Sequence, residues 1–269
     1  METILQTRTP TKLGADIEAR GKVSKAKLRQ VVRAVERAVS AAGDAGAVEI
    51  VAFVTSPGRQ STNGAELAAA VGSATGITVR LLSADEEGRL AYRGARDGID
   101  GTALVSDIGG GSIQVAVGDS REHPLWGFGA NVGSSRLTQR HIRHDPPRRS
   151  ELRAVSETAG EALSSLVPTD APHVLVTGGT ARALRRVVGG TLGEDELEAA
   201  IKLLSRTSTK KLARAYGLSQ WRAETLAAGA VLAQSLSNRL ERSLEVADGG
   251  VREGAIIDLL EERAGSRAA

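Results

Sequence analysis

The sequence predicts an α/β protein built on a largely parallel sheet, and two observations carry that expectation. Short β-branched apolar runs alternate with longer segments whose apolar residues recur at helical spacing, the pattern of βαβ units. The pattern then restarts near Thr102, so two similar halves are expected, each a sheet flanked by helices, with the boundary near residues 93–101. No short-period repeat is visible.

In chain order, residues 1–18 hold a short alternation (Ile4, Gln6, Arg8) that reads as one strand. Ser24 is an N-cap for a helix over about 25–42, with Leu28, Val31, Val32, Val35 and Val39 as its buried stripe and Gly43 and Gly46 ending it. Val48 to Val54 is β-branched and bounded by Ser56-Pro57-Gly58, a buried strand. A helix follows from Asn63 to Ala74, a strand from Ile77 to Leu82, and a charged helix from Ala84 to Arg96. Ala103 to Asp107 and Ile113 to Val117 flank a glycine turn and predict a hairpin. His144 to Arg149 is a loop, followed by a helix over 150–167 and a strand from His173 to Val176. Helices then run to about Arg239. A last strand, Leu244 to Val246, leads through Gly249-Gly250 into a final helix.

Composition excludes several function classes. The chain has no cysteine, which removes disulfides, thiolate metal sites and a cysteine nucleophile. Its 35 basic side chains stand against 32 acidic ones, too small an excess to argue for a nucleic-acid partner. Aromatic residues are 2% of the chain, which leaves no stacking platform for single strands. No apolar run is long enough for a membrane span and residues 1–8 lack a signal-peptide layout, so a cytoplasmic protein is expected. Four scattered histidines (His123, His141, His144, His173) show no metal-ligand spacing and read as surface residues.

Four motifs carry chemistry. In Asp107-Ile108-Gly109-Gly110-Gly111-Ser112, a turn without Cβ atoms can bring successive N–H groups close to phosphate oxygens, with the Ser112 hydroxyl as a further donor. Asp107, ending a strand, is a candidate ligand for a divalent cation. No Gly-Lys-Ser/Thr follows, so it is not a Walker loop, and a strand rather than a helix follows, so it is not a dinucleotide fingerprint. A glycine hairpin with no ligand would read the same way. Gly178-Gly179-Thr180 joins a strand to a helix and places amides and a hydroxyl at a helix N-terminus, an anion site or an ordinary capped turn. Ser83 to Arg89 clusters carboxylates at a helix start, which suits the helix dipole and also suits a general base, Glu87 among them. Arg59 lies in the polar loop Thr55 to Asn63, after a strand, where it can clamp a phosphate or simply face solvent.

Together, in this order and at these separations, the four motifs resemble the exopolyphosphatase/guanosine-pentaphosphate phosphohydrolase (Ppx/GppA) family. Thr55-Ser56, Arg59 and Asn63 look like its Thr-Ser-x-x-Arg-x-x-x-Asn loop, and Ser83 to Arg89 like its Ser-Gly-x-Glu-Glu-Ala-Arg segment. Asp107 to Ser112 looks like its Asp-Ile-Gly-Gly-Gly-Ser hairpin, and Gly178 to Ala181 like its Gly-Gly-Thr-Ala turn. Gly133, Arg136, Leu137, Thr138, Asp145-Pro146-Pro147, Gly229-Ala230 and Arg252-Glu253-Gly254 support the match. The resemblance implies a two-lobed actin-like, ribonuclease H-like fold, with residues 1–97 as the first lobe, 98–269 as the second and the site in the cleft between them. It implies Glu87 as the base that activates water and Arg59 as the ligand of the terminal phosphate. Gly109, Gly110, Gly111 and Ser112 would cradle phosphate together with Gly178, Gly179 and Thr180, while Asp107 holds Mg²⁺. The implied substrate is polyphosphate or guanosine pentaphosphate, with no nucleic-acid or membrane partner; dimers occur in families resembling this one, so a homodimer is one assembly the sequence leaves open.

Two departures from the family pattern stand out. The family opens with a strand and an Asp-x-Gly-Ser-Asn-Ser phosphate loop, and nothing like it occurs here; residues 1–14 resemble the later strand leading into Lys12-Leu13-Gly14. The expectation is an N-terminally truncated first lobe. Either Met1, the sole methionine, is an internal codon read as a start, or the chain is an inactive paralogue. Gln114 stands where the family usually has glutamate, keeping shape and losing charge. Three readings follow: a Mg²⁺-dependent phosphohydrolase, a binder of polyphosphate or nucleotide without turnover, and a remote sugar-kinase or chaperone-type ATPase of the same fold. The arginine loop and the Glu-Glu segment favour the first over the third.

Overall fold

The structure, a computed structural model, describes residues 3–120 and 124–268. It divides into two units, Met1–Ser83 and Ala84–Ala269. In the first unit, residues 3–12 form neither helix nor strand, so the strand expected around Ile4 to Arg8 is absent. Helix α1, Leu13–Arg20, replaces it and ends at Gly21 in the left-handed region (φ +65°). Helix α2, Lys25–Asp44, is capped as the sequence predicts: the Ser24 hydroxyl accepts from the Lys27 amide at 3.3 Å. Its apolar stripe is only half-buried, because the unit's core is small: Ile17, Val23 and Leu67, with Leu28, Val31 and Val54 against them.

Strand β1, Ala52–Val54, is much shorter than the run from Val48 predicts, and Val48 is exposed. One partner strand, β2 (Val79–Leu81), pairs with it in parallel over three residues, and the ladder ends where that partner ends. Between them lie α3, Ser56–Arg59, and α4, Gly64–Thr75.

The second unit opens with α5, Ala84–Ala95, which packs on its sheet, so the division falls ahead of the boundary expected at residue 97. Strands β3 (Ala103–Ile108) and β4 (Ile113–Gly118) form the expected hairpin. Next come β5 (Trp126–Ala130), α6 (Ser134–His141), α7 (Arg149–Leu163), β6 (His173–Thr177) and α8 (Gly178–Val188). The chain continues through β7 (Thr191–Leu192), α9 (Glu194–Leu204), α10 (Thr209–Ala215), α11 (Gln220–Leu240), β8 (Leu244–Val246) and α12 (Val251–Ala268).

The sheet order is β5-β4-β3-β6-β8-β7. Strand β4 runs antiparallel to both neighbours, while β6 and β8 continue parallel to β3. Strand β7 is antiparallel to β8 as well, so three of the five described pairings are antiparallel and the largely parallel sheet expected from the sequence is a mixed one in this unit, because a hairpin and a short return strand flank its parallel centre. The halves are therefore unequal among the described residues: a two-stranded sheet in one unit and a six-stranded sheet in the other. On one face α11 lies almost wholly buried among α6, α7, α8 and α9, its alanines allowing close helix approach. Strand β5 escaped the sequence reading because Gly127 and Gly129 dilute its strand propensity. Ala84, at the start of α5, passes over it: a Cβ at Gly129 would lie 3.6 Å from that methyl group.

Candidate functional site

The candidate site residues of the second unit lie at one end of the sheet. Glu87 sits on the first turn of α5, and the position of that helix is fixed along its length. Arg96, buried at its C-terminal end, donates to the carbonyls of Ser120 (2.7 Å) and Gly101 (2.8 Å). Arg89 and Arg93 bind the Asp258 carboxylate on α12, and Arg93 also binds Glu261. The two helices touch through glycine. A Cβ on Gly94 would stand 2.1 Å from the Gly250 carbonyl oxygen, and one on Gly254 would stand 2.0 Å from that of Leu90. This close approach accounts physically for Gly254 in the Arg252-Glu253-Gly254 match. Of the three carboxylates opening α5, only Glu87 is buried, at 5% exposure.

The β3–β4 hairpin tip is clamped from one side. The Gly109 carbonyl accepts from the Ser134 amide at 3.1 Å, and the Gly110 carbonyl accepts from the amides of Ser135 (2.9 Å) and Arg136 (3.0 Å). Thus α6 satisfies its own N-terminal amides on the hairpin. In a trans peptide the N–H points opposite to the preceding C=O, so the amides of Gly110 and Gly111 face away from α6, as an anion cradle requires. The glycines here serve close approach and not left-handed backbone, for neither Gly109, Gly110 nor Gly111 has positive φ. Gly133 belongs to the same contact, its Cβ position lying 2.6 Å from the Gly110 carbonyl carbon.

Asp107 is the Cα partner of Gln114 on one side and of Thr177 on the other. Past Thr177, Gly178 takes φ +96°, and a Cβ there would lie 2.5 Å from an Asp107 carboxylate oxygen. Glycine at 178 therefore lets the start of α8 close over Asp107. Burial, then the neighbouring Glu87 charge, raise the Asp107 pKa to about 7 against the opposing pull of Arg182. Two carboxylates thus share a buried neighbourhood beside the glycine hairpin, the arrangement that neutralises on its own or holds a cation. Gly179 and Thr180 follow on the first turn of α8. Arg222 of α11 lies against both, its Nη1 3.3 Å from the Thr180 hydroxyl, and its guanidinium stacks 4.5 Å from the Trp221 ring centroid. Gly229, one of the supporting matches, lets α11 approach: its Cβ position is 2.5 Å from Thr180 Cγ2.

Arg59 belongs to the first unit. Its Nη1 donates to the Leu82 carbonyl at 2.9 Å, so the guanidinium is held at the end of β2. Asn63 accepts from the Val23 amide at 2.9 Å and donates to its carbonyl at 3.0 Å, which stitches the arginine loop to α2's entry. In the same loop Gly64 packs on Gly58, 2.0 Å from its carbonyl by the Cβ measure.

Two cations escaped the sequence reading. Arg182 and Arg222 carry no motif signal of their own; Arg182 follows the Gly-Gly-Thr-Ala turn by one residue, and that proximity was the signal available. Among the described histidines, His144 contacts Glu151 at 2.9 Å and His141 contacts Thr158 at 3.0 Å, while His123 lies outside the described residues. The described residues contain no group of three or more His, Cys, Asp or Glu side chains placed to hold a metal. They also contain no helix long and apolar enough to cross a membrane.

The raised pKa of Asp107 has a measurable consequence. Its folded value lies above its ordinary 3.8, so the folded protein keeps a proton that the unfolded chain releases. Stability contributed this way falls as pH rises from about 4 to about 7. In metal-free buffer, Asp107→Asn is expected to flatten the fall of the urea midpoint over that window. Equal slopes in wild type and variant would count against a protonated, buried Asp107.

Comparison with known proteins places the chain in a family. The sequence profile of the Ppx/GppA phosphatase family matches residues 1–263. Exopolyphosphatase 1 of Mycobacterium tuberculosis is 27% identical over 282 aligned residues, covering 97% of this chain and 82% of its own. Exopolyphosphatase 2 of the same organism is 26% identical over 204, covering 68% and 63%. Among solved structures, an exopolyphosphatase from Cytophaga hutchinsonii superposes with a TM-score of 0.83 at 19% identity, covering 97% of this chain and 90% of that one. The Aquifex aeolicus Ppx/GppA family member gives 0.77 at 20%, covering 94% and 87%. The α/β fold is therefore the actin-like one expected, and the chain belongs to the Ppx/GppA phosphatase family.

Proposed function

We propose that this chain hydrolyses the terminal phosphoanhydride bond of inorganic polyphosphate with Mg²⁺ as cofactor. The observation that carries the reading is the buried Glu87–Asp107 pair set beside the glycine hairpin. The available ligands fit the cation: the donors are all hard oxygens, and Mg²⁺ characteristically takes one or two carboxylates together with substrate phosphates and water. Asp107 would hold it, with Glu87 beside it left to act as the base, and when bound the cation would neutralise charge on the phosphates.

The chain's own residues supply the rest. The amides of Gly110 and Gly111 and the Ser112 hydroxyl would receive phosphate oxygens, as would Gly178, Gly179 and Thr180 at the N-terminus of α8, while Gly109 shapes the hairpin tip, its own amide donating to the Ser112 carbonyl at 3.0 Å. Arg59 is a further phosphate ligand. Glu87 accepts a proton from water as the water oxygen bonds to the terminal phosphorus. The P–O bond to the bridging oxygen breaks, giving orthophosphate and a chain shorter by one unit. Such a reaction needs positioning and charge neutralisation more than covalent chemistry, which suits a site made of backbone amides and two carboxylates.

The relatives named as exopolyphosphatases favour polyphosphate over guanosine pentaphosphate. The test is Mg²⁺-dependent phosphate release from each substrate by the purified chain. Release from polyphosphate supports the reading. Release from guanosine pentaphosphate alone replaces the substrate. Saturable binding without release in either case identifies a non-catalytic binder.

A further inference from the structure

Gln114 is 2% exposed and sits on β4 directly across from Asp107. Paired residues in an antiparallel ladder project to the same face, so its side chain lies on the face that carries Asp107. Helix α5 covers that face: a Cβ on Gly88, the residue after Glu87, would stand 3.5 Å from Gln114 Cβ. The Gln114 amide nitrogen donates to the Ser112 hydroxyl at 2.9 Å. Its carbonyl oxygen, Oε1, is buried and accepts no hydrogen bond from any described group. A buried acceptor left so is costly, on the order of 1–3 kcal/mol, and is retained where something other than the protein meets it.

We propose that Gln114 supplies a neutral oxygen ligand to the cation held by Asp107 beside Glu87, fixing the charge of this buried cluster at two carboxylates. The inference rests on the cation site of the preceding section and adds a donor to it. Three features agree: a hard oxygen, a position facing Asp107 across the ladder, and a hydrogen bond to Ser112 that fixes which end of the amide turns to the hairpin and which turns away. A glutamate there would place a third carboxylate in the same buried space. That would cost stability without a cation and increase attraction with one.

The test is cation binding without substrate, read by Mn²⁺ electron paramagnetic resonance and by the Mg²⁺-induced rise in melting temperature. Gln114→Leu removes the oxygen at nearly constant volume and is expected to weaken Mn²⁺ binding at least about fivefold. Gln114→Glu is expected to melt below wild type in chelator, yet to bind Mn²⁺ at least about tenfold more tightly and show the larger Mg²⁺-induced rise. Unchanged Mn²⁺ affinity in Gln114→Leu overturns the proposal whatever the glutamate variant does. Should Gln114→Leu fail to fold, unchanged affinity in Gln114→Glu overturns it and tighter binding supports it. A wild-type chain that binds neither ion at millimolar concentration overturns the cation site itself, a result distinct from a failure confined to Gln114.

Discussion

Glu87→Gln is expected to lower phosphate release from polyphosphate by at least about a thousandfold while leaving substrate binding within about threefold, the range for losing a positioned general base. The substitution is nearly isosteric, so α5 keeps its arginine pairs to Asp258 and Glu261 and its glycine contacts with α12. The effect is therefore chemical and not a loss of fold, and an unchanged melting profile checks that. Glu86 provides the internal comparison. It precedes Glu87 on the same turn but is only half-buried, whereas Glu87 is buried and its charge is felt at Asp107. Glu86→Gln is expected to keep turnover within about threefold, because the half-buried Glu86 lies outside the buried pair and its place at the helix start is worth about 0.3–1 kcal/mol through the dipole. Phosphate release and isothermal titration with polyphosphate separate the two roles. Equal turnover in wild type and Glu87→Gln would remove Glu87 from the chemistry and leave the site as a binding cradle.

What the sequence discloses about this site, and what it does not, follows from the range of the interactions involved. The hairpin Asp107 to Ser112 and the turn Gly178 to Thr180 were legible because their requirements are local: a strand end, a close turn, a helix start. The β-branched run at Val48 misled, since strand propensity takes effect only where a partner exists, and β2 offers three residues. Arg222 was silent because it is set by tertiary packing, reaching Thr180 from 42 residues away. The supporting glycines were visible as matches but had no physical reason until the contacts appeared: Gly133 on Gly110, Gly229 on Thr180, Gly254 on Leu90. Gln114 was legible as a lost charge, and the structure adds its buried acceptor facing the Asp107 side of the sheet.

Gly94→Ala and Gly160→Ala make the same chemical change in two helices and are expected to move stability in opposite directions. Alanine is favoured over glycine within a helix by about 1 kcal/mol, and both positions gain that. Gly160, in α7, has nothing within 4 Å of its Cβ position, so the gain stands and its urea midpoint should rise. At Gly94 the same methyl group would lie 2.1 Å from the Gly250 carbonyl oxygen and 2.6 Å from the Gly254 nitrogen. Both are backbone atoms, which cannot rotate aside, so α5 and α12 must separate. Their separation strains the Arg89 and Arg93 pairs to Asp258, and Arg93 is itself buried. Overpacking combined with disturbed buried ion pairs outweighs the propensity gain, giving a net loss of at least about 2 kcal/mol. Because Glu87 lies two helical turns from Gly94 on the same rigid element, turnover should fall as well, measured well below the melting temperature, whereas Gly160→Ala should leave turnover unchanged. If Gly94→Ala proves as stable and as active as Gly160→Ala, the glycine contact with α12 does not hold Glu87 in place. The position of Glu87 would then depend on the Arg96 anchor at the far end of α5.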